Sequence, residues 1–88
     1  MMKLRGELAV EFHEARVQVN VIGDGTVVVT FVNSPLNAAP AEQKQKRADE
    51  VAAFVLKKHQ APAVRTFFVS QASGSVTGLD RYTGHPKS

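Results

Sequence analysis

Apolar positions recur at helical spacing over residues 41–59, AEQKQKRADEVAAFVLKKH. At about 100° per residue, Ala41, Ala48, Ala52, Val55 and His59 fall in one narrow stripe, with Val51 and Leu56 on its shoulders. Glu42, Gln43, Lys46, Asp49, Glu50 and Lys57 fill the opposite side. The pattern predicts one helix, buried on the stripe and wet on its back. Alanines dominate the stripe, so the helix backbone can lie close to its support, which suits a sheet better than a second helix. Pro40 disfavours helical geometry at Ala39, so the helix should begin at Pro40, with Asn37 turning the chain just before it; Pro62 ends it. Glu42 near the start and Lys57, Lys58 and His59 at the end complement the helix dipole.

Elsewhere the period is two. Residues 17–21 alternate Val-Gln-Val-Asn-Val and lead into Gly23-Asp24-Gly25, the clearest turn in the chain. A two-residue Asp24-Gly25 loop would pair Val21 with Val28 and Gln18 with Phe31, mixing polar and apolar residues on one face. A three-residue loop pairs Val21 with Val27, Val19 with Val29 and Val17 with Phe31, and Gly25 supplies the left-handed residue. That register separates the faces and is the one expected. It leaves Val28 and Val32 on the nominally solvent face, beside Ile22.

Residues 7–12 also alternate, with Leu8, Val10 and Phe12 on one side, and predict an N-terminal strand whose phase slips between His13 and Arg16. The competing reading is a short helix using Leu4, Leu8, Phe12 and Ala15, against which Gly6 and the position of Val10 count. After Pro62, VRTFFVSQ reads as a strand, Ala72-Ser73-Gly74-Ser75 as a turn and VTGLDRY as a second strand. Phe67 and Phe68 are adjacent and must point to opposite faces, so the register of this hairpin stays open. Gly78, Asp80 and Arg81 mark the last strand as an exposed edge. Residues 83–88 read as a loose tail.

The expected fold is therefore a single α+β domain over residues 1–88. It is a two-layer sandwich in β-β-α-β-β order, with one helix on one face of an antiparallel sheet of four or five strands. Strand order 2-1-3-4 would make every neighbour antiparallel.

At this length a domain buries only about 63% of its unfolded surface, a thin margin that favours a dimer. Without cysteine there is no disulfide, thiolate metal site or thiol nucleophile. MMKLRGELAVEF lacks the apolar stretch of a signal peptide, and no run approaches a membrane span, so the expected setting is cytoplasmic with no membrane partner. The net charge of +3 gathers in residues 41–60 (five bases, three acids) and 61–88 (three bases, one acid). That bias permits anionic partners without demanding them.

Chemistry-bearing patterns are sparse, and no cofactor, metal or catalytic set is expected. Glu11, His13 and Glu14 in EFHE could offer a histidine and carboxylates to a metal, but no second histidine follows at ligand spacing, and solvated residues at a strand bend explain them. His59 suits a helix C-terminus, and His85 lies in the tail. Ser70, Ser73, Ser75 and Thr77 stand in no nucleophile pattern. Lys44, Lys46, Arg47, Lys57 and Lys58 give the helix a basic flavour tempered by its acids. With Arg65 and Arg81 they are the candidate phosphate contacts. Arg65, Phe67, Thr77, Arg81 and Tyr82 could line a sheet face as single-strand binders do, although no RNP-type string occurs. Phe54 is a large aromatic on the helix flank, to be covered by residues 33–39 or by a partner.

Three functions follow for weighing. The leading expectation is a non-enzymatic interaction module, self-associating as a homodimer or binding another protein through an uncovered sheet face or edge strand, with Val28, Val32, Phe54 and Phe67 as interface candidates. The alternative is a nucleic-acid-binding domain using the basic residues named above. An enzyme is the third, for which no nucleophile–base pair is legible.

Overall fold

The computed structural model describes residues 2–84. Its elements are α1 (Met2–Glu11), β1 (Val17–Val21), β2 (Val27–Val32), a 3₁₀ turn (Pro35–Ala38), α2 (Ala41–Lys58), β3 (Val64–Ala72) and β4 (Ser75–Thr83). The class is α+β, but the sheet is mixed and has four strands in the order β1-β2-β3-β4. The β1–β2 and β3–β4 pairs are antiparallel, whereas β2 and β3 run parallel. This corrects the all-antiparallel 2-1-3-4 arrangement. The reason lies in β2 itself. VVVTFV is apolar on both faces and nearly buried throughout, which suits a central strand, while β1 carries Gln18 and Asn20 on one side and suits an edge. With β2 inside, α2 forms the crossover that brings β3 alongside it in parallel.

The first hairpin has the expected register, pairing Val17 with Phe31, Val19 with Val29 and Val21 with Val27. Gly25 N–H donates to the Ile22 carbonyl at 2.8 Å and adopts φ +91°. Thr26 N–H donates to the Asp24 carboxylate at 2.9 Å. That bond, more than any other, holds the Asp24 carboxyl below its usual range, and the Arg65 charge adds a little. In the second hairpin Ser73 and Gly74 both have positive φ, as a tight two-residue turn of two strands requires.

Residues 2–11 form a helix, which overturns the N-terminal strand. Leu4 and Leu8, one turn apart, enter the core, while Val10 points outward and is 77% exposed. The helix stops in a Schellman arrangement. Glu14 N–H donates to the Ala9 carbonyl at 3.0 Å and His13 N–H to Val10 at 3.4 Å, with His13 left-handed at φ 55°. EFHE is thus a helix end and not a strand bend.

Both helices, and not one, lie on the same face of the sheet. The core joins Leu4 and Leu8 to Val51, Ala52 and Val55 of α2, and to Val17, Val27, Val29, Phe31, Val64 and Phe68 of the strands. Ala48, Val51, Ala52 and Val55 are the buried stripe anticipated for α2, although Ala41 and His59 are exposed. Pro40 is extended and caps the helix, which begins at Ala41, one residue later than expected; its carbonyl accepts bonds from Gln43 and Lys44 N–H. Rings extend the core sideways, with Phe54–Phe12, Phe12–Phe31, Phe31–Phe68 and Phe68–Tyr82 centroids 5.9, 6.5, 5.7 and 5.9 Å apart.

Thr83 closes β4, so the expected tail begins too early; residues 85–88 lie outside the described residues. Gly84 is buried beneath α2 and donates its N–H to the Val64 carbonyl at 2.9 Å. A Cβ there would strike the Ala48 carbonyl and sit 2.6 Å from Ala52 Cβ. Gly84→Ala should therefore destabilise the fold by about 1–3 kcal/mol, each kcal/mol lowering Tm by about 4–8 °C. An unchanged melting curve would show that the end of β4 does not press on the helix.

Candidate interaction surface

With both helices on one side, the other face of the sheet is left without a second layer among the described residues. Cross-strand register decides what it displays, since partners share a face. Thr66 and Phe68 of β3 pair with Val29 and Phe31 of β2 on the helix side, and on their other flank with Tyr82 and Asp80 of β4, which share that side. The open face therefore carries Gln18 and Asn20, then Val28, Thr30 and Val32, then Arg65, Phe67 and Val69, then Leu79, Arg81 and Thr83.

The four interface candidates fare differently. Val28 and Val32 lie on the open face but are only 8% and 4% exposed. They sit in the central strand, with Asn20 and Arg65 flanking Val28 in register and Val69 beside Val32, so little apolar surface remains for a partner. Phe54 is half-buried, packed edge-on against Phe12 and under Lys58, whose ammonium lies 5.3 Å from its ring centroid. Phe12, just past the end of α1, supplies this edge-on cover. Phe67 is half-exposed on the open face.

The basic residues divide in two. On the helix side several are engaged within the chain. Lys44 is buried and pairs with Asp80 at 2.5 Å, Lys58 pairs with Glu7 at 2.9 Å, and Arg47 lies 3.4 Å from Glu14 and 3.6 Å from Glu50. Lys46 and Lys57 are exposed on the helix back. On the open face Arg65 and Arg81 have no ion-pair partner among the described residues. Arg65 and Phe67 alternate along β3, Arg81 is the cross-strand partner of Phe67, and its guanidinium lies 5.8 Å from that ring centroid. Together with Tyr82 and Thr83 these residues line a shallow concavity of about 250 Å³. Tyr82, grouped with them on sequence, turns its ring to Phe68 on the helix side, and Thr77 donates to the Ser70 carbonyl at a β4 irregularity.

Glu14 was the residue sequence pattern concealed. It is buried, accepting the Ser34 hydroxyl at 2.7 Å, while Arg47 reaches both its carboxylate and the Phe12 carbonyl at 3.4 Å. Ser34 in turn accepts the Leu36 N–H at 3.1 Å and caps the 3₁₀ turn. One carboxylate thus ties the end of α1, the exit of β2 and the flank of α2 together. Its partners are 20 and 33 residues away, a separation that no local motif announces.

His13 is exposed at the helix stop. His59 borders an open groove with Lys3, Leu4, Glu7 and Lys58, in which Glu7 is already held by Lys58. Among the described residues no group of three or more histidines and carboxylates could hold a metal ion, and no helix is long and apolar enough to cross a membrane. His85 lies outside the described residues. Compared with protein-family models, with curated proteins and with solved structures, the chain matches none.

Proposed function

We propose that the protein is a small non-enzymatic interaction module that self-associates, and that strand β1 is where two copies meet. The observation that carries this reading is the character of that edge. Residues 17–23 hold no charge, and Val21 and Ile22 at the end of β1 are 47% and 44% exposed. The opposite edge, β4, also exposes apolar side chains, Val76 and Leu79 at 60% and 42%, but it is interrupted by Gly78 and an irregular register and carries Asp80 and Arg81, features that discourage strand addition. Hydrogen bonds of Ile22 with Thr26 and of Arg16 with Val32 set the alternation in the hairpin, so the N–H and C=O groups of Val17, Val19 and Val21 point away from β2. Antiparallel pairing centred on Val19 would set Val17 against Val21 of a second copy and satisfy those groups.

Stacking two open faces is the poorer arrangement. Arg65 and Arg81 would meet their own copies with no carboxylate on that face to neutralise them. Edge pairing of a five-residue strand is a small interface, so association should be weak and concentration-dependent. Light scattering during gel filtration should show the mass rising from monomer towards dimer between about 10 µM and 1 mM, a range set by interfaces at the low end of the size scale. Val21→Lys should remain monomeric across that range with an unaltered melting temperature. A wild-type chain monomeric throughout, or a Val21→Lys chain that still dimerises, would remove the proposal.

A further inference from the structure

We propose that the Arg65–Phe67–Arg81 cluster on the open sheet face is a binding site for single-stranded nucleic acid. This goes beyond self-association and does not depend on it, since pairing at β1 leaves β3 and β4 open.

Charge is the first consideration. Of the acidic side chains, Glu7 and Glu11 belong to α1, Glu42, Asp49 and Glu50 to α2, Glu14 is buried among the helices, and Asp80 faces α2 through Lys44. Asp24 sits at the hairpin tip, its carboxylate accepting the Thr26 N–H, with Arg65 only the weakest of the influences on it and no ion pair formed between the two. The strands thus place no carboxylate on the face that holds Arg65 and Arg81. A partner complementary to it is anionic.

Shape and polarity choose among anions. Phe67 and the Arg81 guanidinium above it form a stacking platform beside Arg65, the pairing of an aromatic plane with flanking cations that unstacked bases use. Gln18, Asn20 and Thr30 continue the same face with amide and hydroxyl groups able to meet base edges. An acidic peptide would use the arginines but would gain little from the ring. A duplex would use the charges alone, because its bases are stacked on one another and cannot reach Phe67.

Fluorescence anisotropy with a labelled mixed-sequence 12-nucleotide single strand tests this, with a duplex of the same sequence and a labelled 12-residue polyglutamate as the other arms. The single strand should bind at 50 mM salt. Two arginine–phosphate contacts predict a log–log salt slope near −1.4, a loss of roughly sevenfold between 50 and 200 mM. Arg81→Gln should flatten that slope by about 0.7. Phe67→Leu, which keeps apolar bulk and removes the aromatic face, should weaken single-strand binding by roughly 5- to 100-fold. Both variants change exposed or half-exposed positions, and thermal melts should show them folded. Repeating the titration on Val21→Lys, expected to bind equally well, separates this site from the dimer edge. Failure of the single strand to bind at 50 mM salt overturns the proposal. So does duplex binding as tight as single-strand binding, Phe67→Leu without effect, or polyglutamate bound as tightly; the last would make an acidic polypeptide the occupant.

Discussion

Phe31→Ala should cost about 3–5 kcal/mol, the usual range for emptying a fully buried aromatic site. Marginal stability scales to about 4–13 kcal/mol for a chain of this length, so the loss removes roughly a quarter of it at the upper end of that range and all of it at the lower end. The size of the effect follows from position. Phe31 is fully buried in the central strand β2 and stands in the middle of the ring series, touching Phe12 at the end of α1 on one side and Phe68 of β3 on the other. Removing it opens a cavity bordered by a strand, a helix end and a second strand at once, so collapse of any one of them cannot fill it. Phe31→Leu, which keeps more of the volume, should cost about half as much or less. Urea denaturation followed by far-UV circular dichroism measures both. A loss below about 1 kcal/mol for Phe31→Ala would mean that the core is centred elsewhere, since buried aromatic truncations do not fall so low.

What could be read in the chain beforehand was what local patterning controls. The first hairpin is legible because a slip of one residue would put Gln18 and Asn20 into the core, and because Gly25 can take the left-handed position that the three-residue loop needs. Helix α2 is legible from its stripe, and its alanines make sense once Gly84 is seen pressed beneath Ala48 and Ala52. Strand order depends instead on which strand is apolar on both faces. VVVTFV carried that signal against the alternating VQVNV, and weighing it would have placed β2 inside and admitted a parallel neighbour.

The surface was legible in part. That Phe67 or Phe68 must lie on the uncovered face follows from alternation alone; that it is Phe67, beside Arg65 and Arg81, needs the register of β3 against β4. Val28 and Val32 do lie on the open face, but neighbouring side chains leave them almost wholly buried. Strand alternation tells which way a side chain points, not how far its neighbours close over it. Glu14 and Lys44 show the same limit for charge, because the partners that make their burial tolerable come from distant elements.

Helix α1 was hidden for a physical reason, and substitutions in it carry the second large effect. A ten-residue helix in isolation is marginal, Gly6 weakens it further, and the left-handed residue that ends it is His13 where glycine would be the familiar sign. Its existence therefore rests on tertiary contacts, chiefly Leu8, which is fully buried, with Leu4 a turn before it. Leu8→Ala should cost about 2–5 kcal/mol. Val10 supplies the control that separates helix from strand. In a strand Leu8 and Val10 would share a face, and truncating either would be costly. In the helix Val10 projects into solvent, so Val10→Ala should be neutral or stabilise by up to about 0.5 kcal/mol through alanine's higher helix propensity. Hydrogen exchange should report the same asymmetry, with amides of residues 6–12 losing protection first in Leu8→Ala and keeping it in Val10→Ala. Comparable losses of stability at the two positions would restore the strand and with it a five-stranded sheet.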